Sequence, residues 1–216
     1  MDLKMGKGFA MGRRTLLLTV LCAAAGLALL TGCGKKAEKK TGDADRIKFS
    51  ADKTVLIRYD ASLPDGKYII PDGVTKIEME AFKNCKNLTE VCIPGTVKTI
   101  DCFAFQGCGN LAKAALCEGL ETISTNAFED CVSLAEITIP NGVRTIGADS
   151  FRGCKNLKKV VIPASVKTIG RGAFAGCENL TEVTILAGGA QIYSGAFAGC
   201  PCEAQLKRDH AALFIE

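Results

Sequence analysis

The residues of this sequence that could do chemistry are its twelve cysteines and its single histidine. Thiols in an exported chain ordinarily form a disulfide framework, paired C-x2-C units hold zinc, and a close thiol pair can do redox work. Spacing separates these possibilities. Cys85, Cys108, Cys131, Cys154, Cys177 and Cys200 recur every 23 residues, each three residues after a phenylalanine of the series Phe82, Phe105, Phe128, Phe151, Phe174 and Phe197. Six parallel side chains on rungs about 4.8 Å apart rarely meet the torsion a disulfide needs, so the column reads as buried thiols filling space as small apolar groups. Cys92, Cys102 and Cys117 stand outside that column, and Cys200-Pro201-Cys202 is the place most open to redox or bridging chemistry. The chain has no paired C-x2-C unit, no phosphate-cradling glycine loop, and only Asp209 beside His210 in the tail, which reads as a solvated pair. No catalytic residue, metal or cofactor is expected.

The elements that must position these side chains follow from the 23-residue step. In phase, the copies read YIIPDGVTKIEMEAFKNCKNLTE, VCIPGTVKTIDCFAFQGCGNLAK, AALCEGLETISTNAFEDCVSLAE, ITIPNGVRTIGADSFRGCKNLKK, VVIPASVKTIGRGAFAGCENLTE and VTILAGGAQIYSGAFAGCPCEAQ. An apolar residue at each marked position, stacked on its equivalent one rung away, makes a continuous core that no single copy could form. The alternation at Val91-x-Ile93 predicts a strand of three or four residues, closed by Pro94, Pro140 or Pro163, which cannot donate to a ladder. Val97-x-x-Ile100 predicts a second short extended piece, and Ala104-Phe105 a short helical or 3-10 turn. The residue before each repeated cysteine is Asn84, Gly107, Asp130, Gly153, Gly176 or Gly199, the types that tolerate positive φ after a turn.

Ahead of the repeats, Ile47 to Phe49 and Thr54 to Tyr59 flank Ser50-Ala51-Asp52-Lys53 and predict a β-hairpin cap over residues 47–67. At the other end Leu186, Gly189 and Glu203 replace the consensus Pro, Val and Leu. There the apolar columns fade, and residues 207–216 are expected to fold back as a cap.

The I-P, A-F and C-x-N-L signatures, with a period inside the range of about 20 to 29 residues that leucine-rich repeats use, resemble the BspA-like leucine-rich repeat family of bacterial surface proteins. The resemblance covers residues 68–206. It implies a curved, right-handed solenoid of strand plus short helix or 3-10 turn, engaged in adhesion or other protein recognition, and it implies no reaction.

The first 32 residues read as an export signal: Lys4, Lys7, Arg13 and Arg14, then TLLLTVLCAAAGLALL, then Leu30-Thr31-Gly32-Cys33. Met5 or Met11 could serve as the true start. LTGC resembles the bacterial lipobox, which implies lipidation of Cys33, and a diacyl anchor at about 0.8 kcal/mol per buried methylene holds a membrane without a protein span. Residues 33–46, which contain no large apolar side chain, form the tether. The formal charge is +4, and the leader's four cations against Asp2 supply +3 of it. The +1 that remains excludes a nucleic-acid footprint. The expected protein is exported, lipid-anchored at the cell surface or outer membrane, monomeric, and bound to a protein ligand. The alternative is a self-associating structural component of the envelope.

Variation between copies points to partner contacts. Thr75, Lys98, Glu121, Arg144, Lys167 and Ala190 form a mixed column, while Phe103 and Tyr193 are aromatics where other copies carry small or polar residues. Lys98, Phe103, Glu121, Arg144, Lys167 and Tyr193 are the candidate contact residues. Glu90, Lys113, Glu136, Lys159, Glu182 and Gln205 read as a structural ladder of alternating charge, and Asn87, Asn110, Asn156 and Asn179 as amides that satisfy turn backbone.

Overall fold

The computed structural model describes residues 46–64, 66–186 and 189–215. The leader, Cys33 and the tether as far as residue 45 lie outside the described residues. The chain is a β-solenoid in which each copy contributes a two-residue strand and, in all but one copy, a longer strand of three or four residues; the strand expected before Pro140 is reduced to isolated bridges at Glu136. Strands β1 (Ile47–Phe49) and β2 (Val55–Tyr59) form an antiparallel hairpin. Its turn is closed by the Asp52 carboxylate, which accepts the Ser50 hydroxyl at 2.6 Å and the Thr54 amide at 3.1 Å. β2 then pairs in parallel with β4 (Lys76–Ile77), so the hairpin serves as the first rung.

From there the short strands stack in register: β6 (Thr99–Ile100), β8 (Thr122–Ile123), β9 (Thr145–Ile146), β11 (Thr168–Ile169) and β13 (Gln191–Ile192). With β1, β2 and β4 they make an eight-stranded sheet. Its isoleucines Ile77, Ile100, Ile123, Ile146, Ile169 and Ile192 are fully buried. The longer strands form the second wall. β3 (Lys67–Ile69), β5 (Glu90–Ile93) and β7 (Lys113–Leu116) make one parallel sheet, and β10 (Lys159–Ile162) and β12 (Glu182–Ile185) another. Single bridges through Glu136 connect the two sheets.

The third wall holds the short turn expected around each Ala-Phe, without a continuous helix. That stretch is a pair of successive turns, in which Lys83 N–H donates to Glu80 and Cys85 N–H to Phe82. Helix cannot propagate there because two left-handed residues four apart bracket the Phe, at Glu80 (φ 58°) and Asn84 (φ 58°) in the first copy. The other amides are instead satisfied by the next rung, Phe82 N–H reaching Ala104 O at 2.7 Å and Asn84 N–H reaching Gln106 O at 2.8 Å. The positive φ expected before each cysteine is present in all six copies: 58°, 70°, 56°, 70°, 70° and 75°.

A single core runs the length of the solenoid. The six phenylalanines are buried and stacked, with centroids 4.7 to 5.3 Å apart and planes within 11° of parallel. Tyr59 of the hairpin extends the stack, 4.9 Å from Phe82. At the other end, helix α1 (Glu203–Asp209) and a 3-10 turn (Ala211–Leu213) follow the last rung. Leu206 is buried, and Ile215 N–H donates to Ile192 O at 2.9 Å. Gln205, expected to end the charged ladder, lies instead in α1, where its amide donates to Asp209 at 2.8 Å. The ladder begins one rung earlier than the sequence reading placed it, with Lys67 3.2 Å from Glu90, and it closes with Lys159 3.1 Å from Glu182.

Candidate interaction surface

Inside the solenoid the repeated thiols are more than filler. Five of the six donate to the carbonyl of the phenylalanine one rung back: Cys108 to Phe82 at 2.9 Å, Cys131 to Phe105 at 3.2 Å, Cys154 to Phe128 at 3.3 Å, Cys177 to Phe151 at 3.2 Å and Cys200 to Phe174 at 3.0 Å, while Cys85 faces the Tyr59 carbonyl of the hairpin at 4.0 Å. These carbonyls belong to the tight turns, and the weak S–H donors satisfy them where water has no access. The neighbouring thiol Cys108 pushes Cys85 up, Cys131 does the same to Cys108, and burial does so for Cys131 and Cys154. The Cys177 thiol and burial push Cys200 up to about 12, and Cys200 in turn raises Cys202. Cys200 and Cys202 are both free and buried, so the Cys-Pro-Cys segment holds protonated thiols. The asparagines act at the next turn, where the Asn87, Asn110 and Asn179 amides donate to Leu63, Lys86 and Lys155 carbonyls at 3.2, 2.8 and 2.9 Å.

Among the described residues no group of three or more His, Cys, Asp or Glu is placed to hold a metal. His210 caps α1 and lines a shallow depression with Ile185, Leu186 and Leu213, while the Asp209 carboxylate is taken by Gln205. Among the described residues no hydroxyl or thiol lines that depression.

Outside, the candidate residues fall into two places. Lys98, Glu121, Arg144 and Lys167 form one exposed column immediately before the two-residue strands. Their backbones are linked rung to rung, Glu121 N–H to Lys98 O at 2.9 Å, Arg144 to Glu121 at 2.8 Å and Lys167 to Arg144 at 2.8 Å. The Lys98 ammonium lies 3.6 Å from Glu121, an exposed pair that contributes at most about 1 kcal/mol. Tyr193, 38% exposed, stands at the end of a parallel column two residues past the Thr positions, after Glu78, Asp101, Ser124, Gly147 and Gly170.

Phe103 is not on this face. It sits beyond the far end of β6 in the left-handed region at φ 60°, half-buried beneath the Lys83 ammonium 5.5 Å above its ring. A left-handed phenylalanine is costly, and it persists because the flanking turns are over-determined by their rung-to-rung bonds.

Two features escaped the sequence reading. One is the second left-handed column, Glu80, Phe103, Asn126, Asp149, Gly172 and Gly195. Its Asn, Asp and Gly members were a visible signal, masked by Glu80 and Phe103. The other is the Lys76 ammonium, 2.8 Å from Asp101 and 2.9 Å from Glu78. The Asp101 carboxylate, and then Glu78, raise Lys76; burial opposes Asp101, but Lys76 and the Cys102 amide outweigh it and hold that acid low.

Residues 67–204 match the BspA type leucine rich repeat region in six copies. The chain belongs to that family. This BspA-type protein is similar to a leucine rich cell surface protein of Faecalibacterium prausnitzii, at 34% identity over 64% of this chain and a TM-score of 0.61, and it spans only 37% of that protein. It also resembles the leucine rich repeat protein of T. pallidum, at 29% identity and TM-score 0.56, over 81% of this chain and 96% of that one. The pneumococcal vaccine antigen PcpA is 25% identical with TM-score 0.56, over 69% of this chain and 35% of that one. No curated protein matches the sequence. BspA-type proteins are bacterial surface proteins, and leucine-rich repeat solenoids serve as scaffolds for protein interaction. No described helix is long and apolar enough to cross a membrane.

Proposed function

We propose that this BspA-type chain is a non-catalytic, lipid-anchored surface protein that mediates adhesion through the outer face of its eight-stranded sheet. The observation that carries the reading is the contrast between columns. The interior Phe, Cys and Ile columns each repeat one residue type in all six copies, whereas Lys98, Glu121, Arg144, Lys167 and Tyr193 stand in columns that differ from copy to copy at exposed positions that the fold does not constrain. A rigid scaffold presenting variable side chains along one line suits recognition better than chemistry, which needs a nucleophile, a base and an orienting group brought together. Cys33 would carry the lipid, with residues 34–46 as the tether, in keeping with the cell-surface relative.

Two measurements test this. In cells fed labelled fatty acid, the native chain is expected to carry label and to fractionate with membranes, and Cys33→Ser to lose both; a labelled Cys33→Ser chain would remove the anchor. For binding, a protein partner captured by cells displaying the full chain should be released when Arg144 and Tyr193 are both replaced by alanine. Full retention would move the site elsewhere.

A further inference from the structure

The outer face of the eight-stranded sheet is divided by charge. On the rungs of β4, β6 and β8 each cation faces an acid, Lys76 against Asp101 and Glu78, and Lys98 against Glu121. On the rungs of β9, β11 and β13, residues 141–148, 164–171 and 189–194 contain Arg144, Lys167 and Arg171 and no aspartate or glutamate. Arg144 and Arg171 form no ion pair among the described residues, and Arg144, Lys167 and Arg171 are exposed.

Between these cations the surface is flat for a backbone reason. A Cβ on Gly147 would come within 2.5 Å of the Ser124 carbonyl carbon, and one on Gly170 within 2.5 Å of Ala148 N, so neighbouring rungs leave no room for side chains there. Thr145, Thr168 and Ser194 add hydroxyls around that floor, and Tyr193 ends its column. The largest exposed apolar group in these segments is the Tyr193 ring.

We propose that this basic half of the face binds a carboxylated polysaccharide, with carboxylates on Arg144 and Arg171 and a sugar ring against Tyr193. Guanidinium forks match carboxylates in two-point geometry, and the floor of glycines and hydroxyls admits a hydrated chain that a bulkier surface would hold off. Tyr193 offers an apolar ring with a polar tip, suited to a sugar's apolar face and rim of hydroxyls. The proposal deepens the adhesion reading and rests on the same outer face.

The test is titration of the full chain with polygalacturonate, at about 50 and about 300 mM salt, with neutral dextran and polyglutamate alongside. Polygalacturonate is expected to bind, more weakly at high salt, and dextran not to bind. Arg144→Glu with Arg171→Glu should weaken binding at least about tenfold, Tyr193→Ala by a few-fold, and Lys83→Ala not at all. Unfolding curves establish that each variant is folded. The proposal is overturned by absent binding, by an unaffected double variant, by equal loss in Lys83→Ala, or by tighter binding of polyglutamate, which would assign the patch to an acidic peptide. A silent titration with protein capture intact would overturn this proposal alone; failure of lipidation or capture would strike the adhesion reading and leave the titration standing.

Discussion

The interior Phe–Cys columns and the outer face of the eight-stranded sheet are built by the same 23-residue step, yet they obey opposite rules. Inside, Phe82 to Phe197 and Cys85 to Cys200 repeat without exception, because each side chain is walled by its own equivalents and any change in volume is felt on both neighbouring rungs. Outside, the column from Thr75 to Lys167 changes residue type and sign, because solvent accepts each substitution at little cost. In a solenoid, repetition marks what the stack needs and variation marks what it leaves free for other use.

The comparison breaks most sharply at the middle of the phenyl stack. Phe128→Ala, between Phe105 and Phe151, is expected to cost about 3–5 kcal/mol in denaturant unfolding, and Phe197→Ala at the last rung clearly less. Equal costs would mean that the rungs do not share one core.

Removing residues 207–216 strips Leu213 and Phe214 from the core's end and the Ile215 amide from Ile192; we expect a loss of about 2–3 kcal/mol and a lower Tm. An unchanged melt would rule out a capping role for the tail.

Smaller effects sharpen the picture. Ser150 occupies the alanine column, is fully buried, and its hydroxyl has no partner among the described residues. Ser150→Ala should therefore stabilise the fold by about 1 kcal/mol, read as a rise in denaturant midpoint.

The thiols give a pH signature. Cys200 is raised from 9.0 to about 12 in the folded chain, so the folded state keeps a proton that the unfolded state releases. Its contribution is complete below pH 9.0 and is lost as pH climbs towards about 12. Melting temperature should fall over that range, less steeply in Cys200→Ala. A variant declining in parallel with the native chain would discharge the thiol from that role.

At the bland end of the comparison, Lys98→Ala and Arg144→Ala should each shift stability by no more than about 0.5 kcal/mol. A cost above 1 kcal/mol would place these residues in the scaffold.

Much of this was legible in the sequence, and the exceptions have physical causes. The left-handed column before each cysteine could be read because Asn, Gly and Asp are the types that relieve the clash at positive φ. Its partner four residues earlier was hidden because Glu80 and Phe103 hold the same conformation against their preference. Gln205 kept the spacing of the charged ladder and left it, because beyond the last rung no strand waits to pair and helix satisfies the backbone locally. The candidate contacts separated in the same way: spacing placed Lys98, Glu121, Arg144 and Lys167 on one line, but nothing in the period says that Phe103 turns beneath Lys83.

A fixed period of apolar residues determined by itself that the chain stacks and which side chains face inward, since these depend on composition and step alone. Only the tertiary structure decided that the turns bond forward to the next rung instead of closing into helix, that the thiols serve Phe carbonyls, and that one half of the outer face is left without acids. The turn and thiol bonds join residues 22 or 26 apart, distances that exist only once neighbouring rungs have met.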